Sequence, residues 1–203
     1  MNLLPLFPLE LVLFPDTPLP LHIFEPRYKE MIGECLSQKT PFGVVRAVEK
    51  GLAEVGCTAE IIEVTKKYDD GRLDILTEGR RRFEIQQIDQ DRAFLRASVS
   101  YFDDAPGAAS SQQLARAAAL QKELLALAGA RENANAVETD HPQLSFQLAA
   151  AMPLDLDFKQ TLLGMHSEPE RLKSVIEYYE TLLPRMRRAV RARKTAGGNG
   201  HAI

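Results

Sequence analysis

Redox and metal chemistry have little to work with in this chain. Its two cysteines, Cys35 and Cys57, lie far apart and in no metal-binding or redox spacing. Reduced core thiols are expected, as in a cytoplasmic protein. The four histidines, His22, His141, His166 and His201, stand singly. None forms the H-x-x-x-H ladder that turns two imidazoles toward one zinc ion. No metal and no cofactor is therefore expected. A net positive charge is also missing: the formal net charge is −3, which disfavours nucleic acid or an anionic membrane as a partner of the whole chain. No apolar run is long enough for a transmembrane helix. The apolar N-terminus has no Lys or Arg ahead of it, is interrupted by Glu10 and is broken by prolines, so it does not read as a secretion signal. A cytoplasmic location is the expectation.

The motifs of phosphate and nucleophile chemistry are missing too. The nearest approach to a phosphate loop is Gly51-Leu-Ala-Glu-Val-Gly56-Cys57-Thr58. Cys57 stands where a phosphate-binding Lys is needed, Glu54 would repel the anion, and Thr58 leads into a strand rather than a helix. The G-x-S-x-G elbow is absent. Lys173-Ser174 is a Ser–Lys pair only by adjacency, on a helix without an oxyanion-forming turn. His22 is expected as a hydrogen-bonded histidine at a strand end, and Glu25 with Arg27 as a charge pair at a helix start. No catalytic, cofactor-binding or metal-binding residue is assigned, and the substrate-binding residues are not identifiable at this level.

The chain has proline in abundance among apolar residues near its start. Pro5, Pro8, Pro15, Pro18, Pro20 and Pro26 are half of its 12 prolines. Each lacks an N–H and fixes φ, which excludes helix from Pro5 to Pro20 and leaves only strands that are short, bulged or at a sheet edge. Pro26 suits the first position of a helix over 27–38, whose Tyr28, Met31, Ile32, Cys35 and Leu36 share one face. Strands are then expected at 42–48, 56–68, 73–77, 82–88 and 93–102, with a hairpin turn at Asp69-Asp70-Gly71 and a break at Gly79. From Asp103 to Ser111 the composition turns small and polar. Beyond it the chain is expected to be helical: 111–130, 142–152, a short helix around Phe158 to Met165, and a last helix capped by Ser167. Pro184 threatens a kink or an early end in that last helix. The expected class is α+β, with a β-rich part over 1–104, a helical part over 105–194 and a disordered tail over 195–203.

Leu3-Leu-Pro-Leu-Phe-Pro-Leu9, Val12-Leu13-Phe14-Pro15 and Pro20-Leu21-His22-Ile23-Phe24-Glu25-Pro26-Arg27-Tyr28 together resemble the opening of the Lon N-terminal, or LON substrate-binding, domain. Gly79 and the Arg82-Phe83 pair extend the likeness over about the first hundred residues. The resemblance implies a PUA-like pseudo-barrel followed by a helical bundle. It also implies a non-catalytic module that binds unfolded or partner polypeptide through exposed apolar surface, as an accessory to a protease or chaperone. Neither the ATPase nor the Ser–Lys peptidase module that accompanies this domain in Lon proteases has a counterpart in the sequence. The rival is an RNA-binding PUA-like module, which would draw on Arg80-Arg81-Arg82 and on the Arg-rich end of the last helix, Arg185 to Lys194. The ordinary alternative for both clusters is a solvated face.

Overall fold

The computed structural model describes residues 3–129 and 141–198, with side chains described as far as residue 192. The elements run β1 (Leu4–Leu9), β2 (Pro18–Ile23), α1 (Pro26–Gln38), β3 (Phe42–Val48), β4 (Gly51–Lys67), β5 (Leu73–Asp89), β6 (Arg96–Phe102), α2 (Ser111–Leu127), α3 (Leu144–Ala150), α4 (Leu156–Gly164) and α5 (Glu168–Gly198). The class is α+β. The chain forms two compact units, one from Met1–Asp104 with Pro153–His166, the other from Ala105–Met152 with Ser167–Ile203. The helical sequence is thus divided, because the short helix α4 belongs with the strands.

In the first unit the strand order is β2-β5-β4-β3-β1-β6, and β5 also pairs with β6. That last pairing closes a barrel. β5 can serve on both sides because it is long: its Leu73–Glu78 half pairs with β2, while Arg82–Asp89 pairs with β6. β2 is left as an edge strand, which suits Pro18 and Pro20. β1 carries Pro5 and Pro8 yet lies inside the sheet, parallel to β3 and antiparallel to β6. It is tolerated there because it is short and its β6 ladder covers only Leu4 and Pro5.

The barrel is filled by Leu4, Leu6, Val45, Phe83 and Ala97. Phe83 fits because its neighbours are small. A Cβ on Gly43 or Gly56 would come within 2.7 or 2.5 Å of its ring. Gly79 has a different reason to be glycine. The expected break there does not occur, since β5 is one strand of 17 residues. Instead the 13–17 loop crosses it: Asp16 N–H donates to Gly79 O and Gly79 N–H to Thr17 O, both at 2.9 Å. A Cβ on Gly79 would sit 2.0 Å from the Phe14 carbonyl oxygen, a backbone atom that cannot swing aside. Gly79→Ala is therefore expected to lower stability by about 3 kcal/mol or more. Urea unfolding followed by circular dichroism measures this, and a loss under about 0.5 kcal/mol, the ordinary surface range, would contradict it.

α4 packs on the barrel through specific anchors. Gln160 Nε2 donates to Val55 O at 2.9 Å, and Arg46 pairs with Asp157 at 2.6 Å. Arg82 reaches from β5 to the end of α4. It donates to Leu163 O at 3.1 Å, to Met165 O, and to Asp104 at 2.5 Å, with its guanidinium over the Phe102 ring.

The second unit joins α2, α3 and α5. Ser110 and Gln113 form a capping box at the start of α2, satisfying two backbone N–H groups reciprocally. Tyr179 OH donates to Leu148 O at 2.9 Å. Glu168, Arg171 and Ser145 form a buried polar triad, and Arg171 also lies over the Phe146 ring. α5 runs through Pro184 without ending. Pro184 and Glu180, whose carbonyl loses its helical partner there, are both exposed, so that carbonyl can meet water. Of the expected 195–203 tail, the backbone is helical to Gly198, and 199–203 lie outside the described residues.

Candidate functional site

A recess in the first unit forms where α1 hands the chain to β3. Glu25-Pro26 starts α1, which buries Tyr28, Met31, Ile32 and Cys35. The helix stops at Lys39, whose left-handed φ of 53° turns the chain, with Thr40 N–H donating back to Cys35 O at 3.1 Å. Pro41 then leads into β3. Two clefts flank this turn and share Cys35, Thr40, Pro41 and Tyr101 as common wall. One, of about 650 Å³, extends over Thr58, Ile61 and the β5 arginines 80 and 81. The other, of about 640 Å³, extends over Leu3–Pro5, Phe94 and the β6 residues Ser98 and Val99. They adjoin along that shared wall as a two-part groove at the mouth of the barrel, and Tyr101, 43% exposed, lines both parts.

The arginines round this groove are held by carboxylates or rings, while Lys39 on its rim is exposed. Arg80 meets Glu60 at 2.7 Å, Glu78 at 3.2 Å and Asp16 at 3.9 Å, and its hydrogen bond to Glu60 raises its pKa above the ordinary value. Arg81 lies over the Tyr101 ring at 4.5 Å and is 3.8 Å from Asp103. Arg82 is buried. The three consecutive arginines therefore do three different things and do not make one basic patch. Across the groove Arg92 bridges Glu30 and Glu34, and Arg96 pairs with Asp89 at 2.7 Å. On α5, Arg185, Arg188 and Arg191 are exposed, and Arg187 is held by Glu123.

No side chain singled out for chemistry acquires a catalytic setting. Cys35 and Cys57 are buried, and burial pushes their thiols up to about 11 and about 12, so neither is a thiolate at neutral pH. His22 sits near the end of β2 with Nδ1 2.5 Å from Asp74 Oδ1, and Tyr68 OH donates to the other carboxylate oxygen at 2.8 Å. These bonds, that from His22 first, hold the Asp74 carboxyl below its usual range. Phe24 and Tyr68 flank the imidazole, so its surroundings are a carboxylate and two rings. His166 packs on Phe102, and His141 accepts from Gln143 N–H; His201 lies outside the described residues. Ser174 donates to Glu170 O and Lys173 faces Glu177, so Lys173-Ser174 is no dyad. Arg27 pairs with Glu25 at 2.8 Å, a local charge pair. Residues 51–58 are all in β4. Among the described residues no group of three His, Cys, Asp or Glu side chains is placed to hold a metal. No helix among them is long and apolar enough to cross a membrane.

The apolar N-terminal stretch supplies only part of the groove wall. Leu4, Leu6, Phe7, Leu13, Phe14 and Ile23 are core residues, while Phe24 is 59% exposed. Tyr101 was hidden from sequence reasoning because alternation in β6 places it with Val99 on the covered face. Only the end of the barrel uncovers it.

Residues 3–180 match the family described as the ATP-dependent protease La (LON) substrate-binding domain. The chain is 29% identical over 110 residues to Lon protease of Parabacteroides distasonis, a match covering 50% of this chain and 13% of that one. It is 25% identical over 191 residues to Lon protease 1 of Hydrogenovibrio crunogenus, covering 85% and 23%. The matched stretch is thus less than a quarter of either relative's length. The Lon N-terminal domain protein from Xanthomonas campestris superposes with a TM-score of 0.72 at 25% identity, over 88% of this chain and 99% of that one. The N-terminal domain of the Mycobacterium avium complex Lon protease shares the fold, with a TM-score of 0.67 at 20% identity over 88% and 98%.

Proposed function

Because the chain belongs to the LON substrate-binding domain family, we propose that it binds polypeptide without chemical change, by seating extended apolar segments in the groove at the barrel mouth. The observation that carries this reading is the groove itself: two clefts sharing Cys35, Thr40, Pro41 and Tyr101, with mixed apolar and polar walls and arginines that are mostly ion-paired. Such a surface offers little to phosphate and more to an uncharged, unfolded chain. On this reading the chain serves as an accessory to proteolysis or protein quality control, delivering or holding unfolded protein.

Fluorescence anisotropy tests it: a labelled, permanently unfolded protein is titrated with the chain at low and high salt, beside a labelled single-stranded RNA. Saturable binding of the unfolded protein that persists at high salt is the expected result. Binding confined to RNA and abolished by salt would replace this reading with the nucleic-acid one. Any arginine test of that rival should change Arg80 and Arg81 only, since removing Arg82 removes an anchor of α4.

A further inference from the structure

Strand edges that face solvent are usually guarded, and in this barrel they are guarded unequally. The outer edge of β2 carries Pro18 and Pro20, which have no N–H to offer. β4 beyond Ala59, the last residue paired with β3, carries Glu60, Glu63, Lys66 and Lys67 and is twice interrupted by register shifts. β6 differs. Its ladder to β1 ends at Leu4↔Ala97, whereas its pairing with β5 continues to Phe102. Ser98-Val99-Ser100-Tyr101 therefore has a partner on one side only among the described residues, and it contains neither charge nor proline. The groove lies along that free side.

The orientation of the free groups follows from the register. Leu6 N–H donates to Leu95 O at 2.8 Å, so Leu95 points its backbone polar groups toward β1. Backbone groups alternate sides along a strand, so Ala97, Val99 and Tyr101 point the same way. Leu4 faces Ala97; Val99 and Tyr101 point toward the groove with no strand opposite them among the described residues. Val99 packs on the barrel core, so a residue set opposite it would turn its side chain inward beside Leu4.

We propose that the groove takes its polypeptide by strand addition: an extended, uncharged segment with apolar residues at alternate positions pairs with Val99 and Tyr101 of β6, prolonging the line of β1. This rests on the polypeptide-binding reading and specifies its mode. Main-chain bonds give sequence-tolerant affinity, and the alternate apolar side chains fill the barrel mouth.

The test uses the full chain and a short fluorescein-labelled peptide of alternating Thr and Val, compared with the same peptide N-methylated at every second residue on the edge that would meet β6. The methylated peptide is expected to bind roughly tenfold or more weakly. That ratio should persist in Tyr101→Ala, which keeps its N–H, and the unmethylated peptide should bind several-fold more weakly to Tyr101→Pro, which does not, than to Tyr101→Ala. Equal binding of the two peptides to the unmodified chain would overturn strand addition while leaving polypeptide binding in place. So would failure of both peptides to bind a chain that captures the unfolded protein, concentration-dependent dimers that dissociate in Tyr101→Pro, or peptide binding that appears only after residues 1–2 are removed. Failure to capture unfolded protein at all would instead overturn the reading on which strand addition rests.

Discussion

Arg171→Ala is expected to destabilise the helical unit by about 3–5 kcal/mol, the range for breaking a buried ion pair from one side. Arg171 is fully buried at 0% exposure and pairs with Glu168 at 2.8 Å. Its Nε also donates to Ser145 Oγ at 3.0 Å, and its guanidinium lies 4.1 Å from the centre of the Phe146 ring. Truncation leaves the Glu168 carboxylate buried without its cation, still accepting from Ser145 N–H and Oγ but uncompensated in charge. The triad ties the start of α5 to the start of α3, so its loss should loosen the joint between those helices. Urea unfolding followed by far-ultraviolet circular dichroism measures the cost. Glu168→Gln, which keeps hydrogen-bonding capacity and removes the charge, should weaken the charge-assisted bond from Arg171 and cost at least about 1.5 kcal/mol. A shift below about 1 kcal/mol for both variants would show that the triad is not what joins α3 to α5.

The second large effect is expected at Arg82, and it falls on the barrel unit. Arg82 is 2% exposed and its partner Asp104 is largely covered. Arg82→Ala removes the cation from Asp104, leaves the carbonyls of Leu163 and Met165 without this donor, and strips the stack from Phe102. A loss of about 3–5 kcal/mol is expected, with protease sensitivity appearing first around α4. Arg82→Lys should recover little, because a single ammonium cannot serve a carboxylate and two carbonyls in the geometry of a guanidinium fork. Arg80→Ala, by contrast, removes an exposed arginine with surface partners and should change stability by under about 1 kcal/mol. If Arg80→Ala and Arg82→Ala destabilise equally, the division of roles within the arginine triplet is wrong.

That triplet illustrates where the sequence stops being informative. Local chemistry was readable: Pro26 starts α1, Phe42–Val48 is a strand, and Asp69-Asp70-Gly71 turns the hairpin, because each depends on a residue's own φ or on its neighbours. The helix start at Ser110 also had a readable signal, Gln113 three residues on, which only the structure turned into a capping box. The unreadable features depend on distant segments. Arg82 is buried because α4 returns to cover β5, and nothing between Pro153 and His166 distinguishes that helix from its neighbours in the sequence. Gly79 reads as punctuation until the 13–17 loop is seen to cross it. The groove has the same cause: Tyr101 belongs to a covered face by alternation, and becomes exposed only because β1 stops pairing at Leu4 while β6 continues.

The most direct test of polypeptide recognition at the barrel mouth is amide chemical-shift mapping of the isotope-labelled chain during titration with an unlabelled, permanently unfolded protein. The account predicts progressive shifts concentrated at residues 35–42 and 98–102, with the exposed end of α5 unchanged. Shifts confined to α5, or to the His22, Phe24 and Tyr68 cluster, would contradict it and move the binding surface elsewhere.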